Sequence, residues 1–341
     1  MTERDQEKIY SSLEFGAGFQ GFEDGEQVLV DVGGRDPLAV KVHPSDRPGA
    51  KALVVLFHGA LGRSKNAPVP SFLNVRKSIR GAAHQISIAD PGVEADNKVG
   101  VGWFAGSEWN PAQKLLPVFF NDLKTALEVD RVVFVGSSGG GFGALFYSWS
   151  MPGSIVCASV PQTNAWAYNE GNLRQYINDC WPNGIDDVGN APILDLRQIY
   201  SESVPNTVVY VQSSLDLRHF HKHMIPFLDA VPMEEREKVA LKVSYWGRPG
   251  HTGAVPPGEL DGWIKAAISA EETTAEAITK QYQLSGVEQT PLSETMMKQA
   301  GASSHGQAGK KERPNGKESS YQDIMWSRMI TDELLKEGSG S

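Results

Sequence analysis

The sequence is short of cysteine, of positive charge and of long apolar runs, and each shortage removes a class of protein. Its two cysteines, Cys157 and Cys180, cannot build a disulfide scaffold. Cys157 lies in the apolar run Ile155-Val156-Cys157-Ala158, the setting of a buried, inert thiol. Acidic residues outnumber basic ones 41 to 32, a formal charge of −9. That excludes a generally basic nucleic-acid binder, though not a local basic patch. No apolar run reaches the ~20 residues that span a bilayer. The longest clean stretches, such as residues 53–57, are strand-sized. The charged start, Met1-Thr2-Glu3-Arg4-Asp5-Gln6-Glu7-Lys8, has no apolar signal core, so a cytoplasmic location is expected.

What the chain does have is alternation. From about residue 38 to 270, β-branched apolar runs alternate with helical patterns. Strands are expected at 38–42, 52–57, 85–89, 132–135, 155–160, 207–211 and 239–245. Helices are expected at 71–80, 112–128, 140–150, 190–202, 219–230 and 257–270. Ala52-Leu53-Val54-Val55-Leu56-Phe57 is apolar at every position, as a strand buried on both faces should be. Leu115, Leu116, Phe119, Phe120, Leu123 and Leu127 recur at helical spacing. The expected fold class is α/β, a mostly parallel central sheet with helices on both faces. Residues 1–37 are read as an N-terminal extension whose Phe15, Phe19 and Phe22 pack as a hairpin or stay mobile. Residues 271–341 are read as a C-terminal extension, beginning with weak helix at 271–300. Within it, 301–320 has almost no core-forming side chains and reads as a disordered linker. Residues 321–337 then carry Ile324, Met325, Trp326, Met329, Ile330, Leu334 and Leu335, a short amphipathic helix. That helix either docks on its own domain or offers an apolar face to a protein partner.

The densest chemistry is in Arg131-Val132-Val133-Phe134-Val135-Gly136-Ser137-Ser138-Gly139-Gly140-Gly141. Residues 136–140 fit Gly-x-Ser-x-Gly between an apolar strand and a small-residue helix. Strand, tight turn and helix make a nucleophile elbow, which lifts Ser138 to the carboxyl edge of the sheet. The N–H of Gly139 then points at a developing oxyanion. The competing reading is a glycine-rich phosphate turn, but the Lys-Ser/Thr of a P-loop is missing.

On this segment the chain resembles the α/β-hydrolase family over roughly residues 38 to 270. A second motif, Leu56-Phe57-His58-Gly59-Ala60-Leu61-Gly62, strengthens the resemblance. The resemblance implies that Ala60 gives the second oxyanion N–H and that His58 is structural. It also implies the order serine, acid, histidine. Asp216 follows the late strand Val208-Val209-Tyr210-Val211, and His251 lies in the Gly/Pro-rich stretch after the next strand. The implied triad is Ser138, Asp216 and His251, with Asp195 and Asp229 as weaker acids. The expected activity is that of a serine esterase or acyl-transfer enzyme with no cofactor. A binding or assembly module attached through residues 321–337 is the alternative.

Two further clusters stand out. His219 and His223 are spaced i, i+4 beside Asp216, which suits packing or substrate contact at the site, a solvated face, or a metal pair. Trp103 and Phe104, between glycines in the segment Asp90-Pro91 to Gly106, form either a stacking platform for a sugar or acyl chain or an aromatic plug. That segment resembles hydrolase-like proteins of bacterial glycan and accessory-secretion systems. The resemblance implies a glycan ester, and specifically a carbohydrate O-acetyl ester, as substrate.

Overall fold

Strands buried on both faces must put alternate side chains into two separate cores, and the central strands do so. Leu53, Val55 and Phe57 enter one cluster, while Ala52, Val54 and Leu56 enter the other. Val132 and Phe134 divide from Val133 and Val135 in the same way. The computed structural model describes residues 8–62, 69–93, 98–185, 191–246 and 255–285. The expected linker 301–320 and helix 321–337 lie outside the described residues, as do residues 286–300 of the weak helical stretch.

The strands are β1 (Ile9–Ser11), β2 (Glu26–Asp31), β3 (Leu38–His43), β4 (Ala52–Phe57), β5 (His84–Ile88), β6 (Arg131–Ser137), β7 (Ile155–Ser159), β8 (Thr207–Ser213) and β9 (Val239–Ser244). They form one nine-stranded sheet in the order β1-β2-β3-β5-β4-β6-β7-β8-β9. β3 runs antiparallel to both its neighbours, and every other pair is parallel. The carboxyl ends of β4, β6, β7 and β8 therefore share one edge.

The helices are α1 (Ser12–Gly18), α2 (Ala112–Ala126), α3 (Gly139–Trp149), α4 (Glu170–Cys180), α5 (Arg197–Tyr200), α6 (Leu217–His219), α7 (Ile225–Ala230), α8 (Pro257–Ser269) and α9 (Ala275–Leu284). Side chains of α2, α3, α4 and α7 fill the first cluster, those of α8 and α9 the second. Among the described residues, no helix is long and apolar enough to cross a membrane.

The extension at 1–37 supplies β1, α1 and β2 to the sheet and its cover. Phe15 and Phe19 are wholly buried, and Phe15 meets Phe119 of α2 at 5.8 Å between ring centroids. The helix expected at 71–80 is irregular chain with one 3-10 turn at Lys77–Ile79. Its Arg76 backbone N–H and carbonyl bond the Gln85 side chain instead of helical partners. The helix expected at 219–230 is broken into α6, a π turn at Phe220–Met224 and α7. Pro226 in the first turn of α7 has no N–H for the preceding ladder, and the wide turn absorbs that loss. Of the helix expected at 190–202, only α5 forms within the described residues.

Candidate active site

β6 ends at Ser137 and α3 begins at Gly139, leaving Ser138 alone to reverse the chain. Its backbone sits at φ 53°, ψ −121°, a region a side chain avoids. Such strain persists only where the surroundings over-determine it. Here the glycines permit it. A Cβ on Gly136 would come within 2.1 Å of the Gly140 carbonyl oxygen, and one on Gly140 within 2.3 Å of that of His58. Helix α3 can thus press against the ends of β4 and β6 only without side chains at these positions. Gly139 occupies the first position of α3, where a backbone N–H has no intrahelical acceptor. Ala60 is exposed beyond the end of β4.

The turn after β7 is stitched to Ser138. Ser138 N–H donates to the Ser159 carbonyl at 3.2 Å, and Gln162 N–H donates to the Ser138 carbonyl at 3.0 Å. Ser137 Oγ and Ser159 Oγ are 2.6 Å apart. Gln162 Nε2 donates to Ser138 Oγ at 2.9 Å. Gln162 belongs to no motif, so sequence reasoning missed it.

Asp216 caps α6, its Oδ1 accepting the His219 backbone N–H at 3.1 Å. Its Oδ2 is 2.8 Å from His219 Nδ1, and both side chains are almost completely buried. His219 therefore stands against Asp216 inside the protein, which fits packing at the site among its expected roles and corrects the solvated-face reading. Ser213 Oγ donates to the Trp246 carbonyl at 2.6 Å and ties the end of β8 to the chain leaving β9. His251 follows in 247–254, outside the described residues. Of the weaker acids, Asp195 is held by Arg197 and by Asn164 Nδ2 at 3.0 Å, and Asp229 lies within α7.

Trp103 and Phe104 both lie at positive φ, 53° and 56°, and both are buried. Phe104 meets the rings of Phe57 and His58, and a Cβ on Gly143 would touch it at 2.9 Å. Trp103 sits edge-on to Tyr168 and Tyr176. With no ring face exposed, the pair is a packed plug, and this corrects the stacking-platform reading. Asp90 holds the loop by accepting the N–H groups of Gly92, Gly102 and Phe104. Burial raises its pKa, while the three backbone donors oppose the shift. His58 Nδ1 lies 2.8 Å from the Gly59 carbonyl, and Nε2 accepts the Asp90 N–H at 3.3 Å. Its proton is therefore on Nδ1, and the ring braces the strand ends.

His223 lies beside His219, the rings tilted with 5.1 Å between centroids. Its Nδ1 accepts the Thr163 N–H at 3.3 Å. Among the described residues, no group of three or more His, Cys, Asp or Glu is arranged to hold a metal ion. Burial, with His219, Arg218 and Lys222 nearby and Asp216 opposing, lowers the His223 pKa to about 3. Below its ordinary value of 6.5, the unfolded chain binds a proton that the folded chain refuses. Stability therefore falls as pH drops between those values, by ~1.4 kcal/mol per unit well inside the window. Urea unfolding at pH 7 and pH 5 should show a loss of ~2 kcal/mol that His223→Gln lacks. An equal loss in the variant would show that another group carries the pH dependence.

No protein-family model matches the chain, and no curated protein matches it. Solved structures do. One is the capsule O-acetyltransferase of Neisseria meningitidis serogroup A, 12% identical, with a TM-score of 0.44 over 68% of this chain and 94% of that one. Another is brefeldin A esterase, a bacterial homologue of human hormone-sensitive lipase, 14% identical, with a TM-score of 0.45 over 79% and 83% of the two chains. A third is the proline iminopeptidase of Mycobacterium smegmatis, 12% identical, with a TM-score of 0.42 over 76% and 100%. The architecture itself carries the assignment. A mostly parallel sheet, helices on both faces and a strained serine between strand β6 and helix α3 make this chain a protein of the α/β-hydrolase fold.

Proposed function

We propose that the chain is a serine hydrolase of the esterase or acyl-transfer type, with Ser138 as nucleophile. The observation that carries this reading is the backbone of Ser138, held at φ 53°, ψ −121° between β6 and α3. Fold alone hosts many functions, but a strained, part-exposed serine at a helix start is a site feature.

In this reading Ser138 Oγ attacks an acyl carbonyl, and its proton passes to His251. The carbonyl π pair moves onto oxygen, where the N–H groups of Ala60 and Gly139 receive it. The adduct collapses, the leaving group departs with the proton, and an acyl-serine remains. Water or an alcohol then attacks and restores Ser138. Asp216 orients the histidine and stabilises its charged form. Side chains and backbone donors supply every part of this chemistry. The substrate class proposed is an ester of a small molecule or glycan, with a carbohydrate O-acetyl ester as the specific candidate.

The test is turnover of p-nitrophenyl esters of increasing chain length, with and without an added sugar alcohol. The wild type should turn over the short esters. His251→Ala should lower kcat by ~10⁴–10⁶-fold. Equal turnover in both proteins would remove His251 from the reaction.

A further inference from the structure

Gln162 has a fully buried side chain, and both ends of its amide are engaged. Nε2 is 2.9 Å from Ser138 Oγ, and Oε1 is 2.5 Å from Trp103 Nε1. An indole N–H can only donate. Oε1 must therefore face Trp103, and Nε2 must face the serine, which fixes the orientation of the amide. Ser138 Oγ thus accepts a hydrogen bond from one side, and its own proton is turned toward another acceptor.

The backbone around this amide is also constrained. Val160, two residues earlier, lies at φ 39°, and Trp103 at φ 53°. Both are large side chains in the left-handed region. Such positions persist where the surroundings hold them, and they cluster at functional sites. The Gln162 backbone N–H is itself bonded to the Ser138 carbonyl, so the amide has little freedom to move away.

We propose that Gln162 is a catalytic hydrogen-bond donor to the nucleophile oxygen and that Trp103 is its positioning residue. This rests on the reading of Ser138 as nucleophile. During attack the Oγ–carbon bond forms while the Oγ proton leaves to the base, and negative charge grows on Oγ in between. Gln162 Nε2–H faces that charge. When the acyl-serine breaks down, the carbon–Oγ bond breaks, its electron pair returns to Oγ, and the proton comes back from the base. The same donor faces the same charge. An interaction that strengthens with developing charge lowers the barrier to both steps.

The experiment is the second-order rate of labelling by a fluorophosphonate, in which Oγ bonds to phosphorus and fluoride leaves. Gln162→Met keeps the length and removes the donor, and it should slow labelling by ~10–100-fold. Trp103→Phe frees the amide to turn over and should slow labelling by a smaller factor. The double variant should be no slower than Gln162→Met, because Trp103 acts through Gln162. Gln162→Glu provides a readout that packing would not move. Its carboxyl donates when protonated and accepts when ionised, so its rate relative to wild type should recover as pH falls. The same ratio for Gln162→Met should stay flat. If Gln162→Met misfolds, the Gln162→Glu profile carries the test, and a flat profile there overturns the proposal. A folded Gln162→Met that labels at the wild-type rate also overturns it while leaving Ser138 as nucleophile. A wild type that does not label overturns the nucleophile reading itself, and this inference with it.

Discussion

Ser138→Ala should lower ester turnover by ~10⁵–10⁶-fold and leave the protein folded. Alanine supplies no attacking oxygen, so no acyl-enzyme can form. The N–H groups of Ala60 and Gly139, which we propose as the oxyanion donors, are untouched, and a residual rate above that in water is expected from them. The fold should survive because Ser138 is held mainly through its backbone. Its N–H and carbonyl still meet Ser159 and Gln162. The lost side-chain bond leaves the Gln162 amide without an acceptor, a cost of ~1–3 kcal/mol. Alanine keeps the positive φ and its strain. Glycine at the same position is equally inactive but accepts φ 53° freely. Ser138→Gly should therefore melt higher than Ser138→Ala. A Ser138→Ala protein that is folded and active would remove the nucleophile from the site.

Asp216→Asn should lower kcat by ~10⁴-fold with little change in KM. The carboxylate accepts the His219 N–H at the start of α6 and faces His219 Nδ1 at 2.8 Å. Asparagine is as good a cap as aspartate, so α6 should keep its first turn. What disappears is the negative charge that stabilises a protonated histidine beside it. The measurement is steady-state turnover with thermal melting on the same samples. A loss of kcat with melting shifted by only a few degrees fits this role. A collapse of stability with normal kcat in the folded fraction would make Asp216 a packing residue.

The parts of this molecule most legible in sequence are runs of β-branched and apolar residues, clearest in β4, where burial on both faces leaves no polar position. The strands β3 to β9 fall within two residues of the apolar runs that announced them, and α2, α3 and α8 fall equally close to their patterns. β1 and β2 carried no such signal, because β1 is three residues at the sheet edge and β2 beside it alternates buried with half-exposed or exposed positions. α4 was missed although Asn169 caps it and Leu173, Tyr176, Ile177 and Cys180 repeat at helical spacing. Its polar residues dilute that stripe. At the site, Gly-x-Ser-x-Gly locates Ser138 because a strained turn demands glycines in fixed positions. Gln162 had no such announcement. Its role comes from a turn after β7 folding back over α3, a contact no local pattern encodes. His219 was visible as a neighbour of Asp216, but only the capped turn of α6 brings its ring onto the carboxylate.

The most direct measurement is peptide mass mapping of the full chain after fluorophosphonate treatment. One adduct is expected, on the peptide containing Ser138, and absent from Ser138→Ala. No adduct on folded protein, or an adduct on another serine that persists in Ser138→Ala, would contradict it.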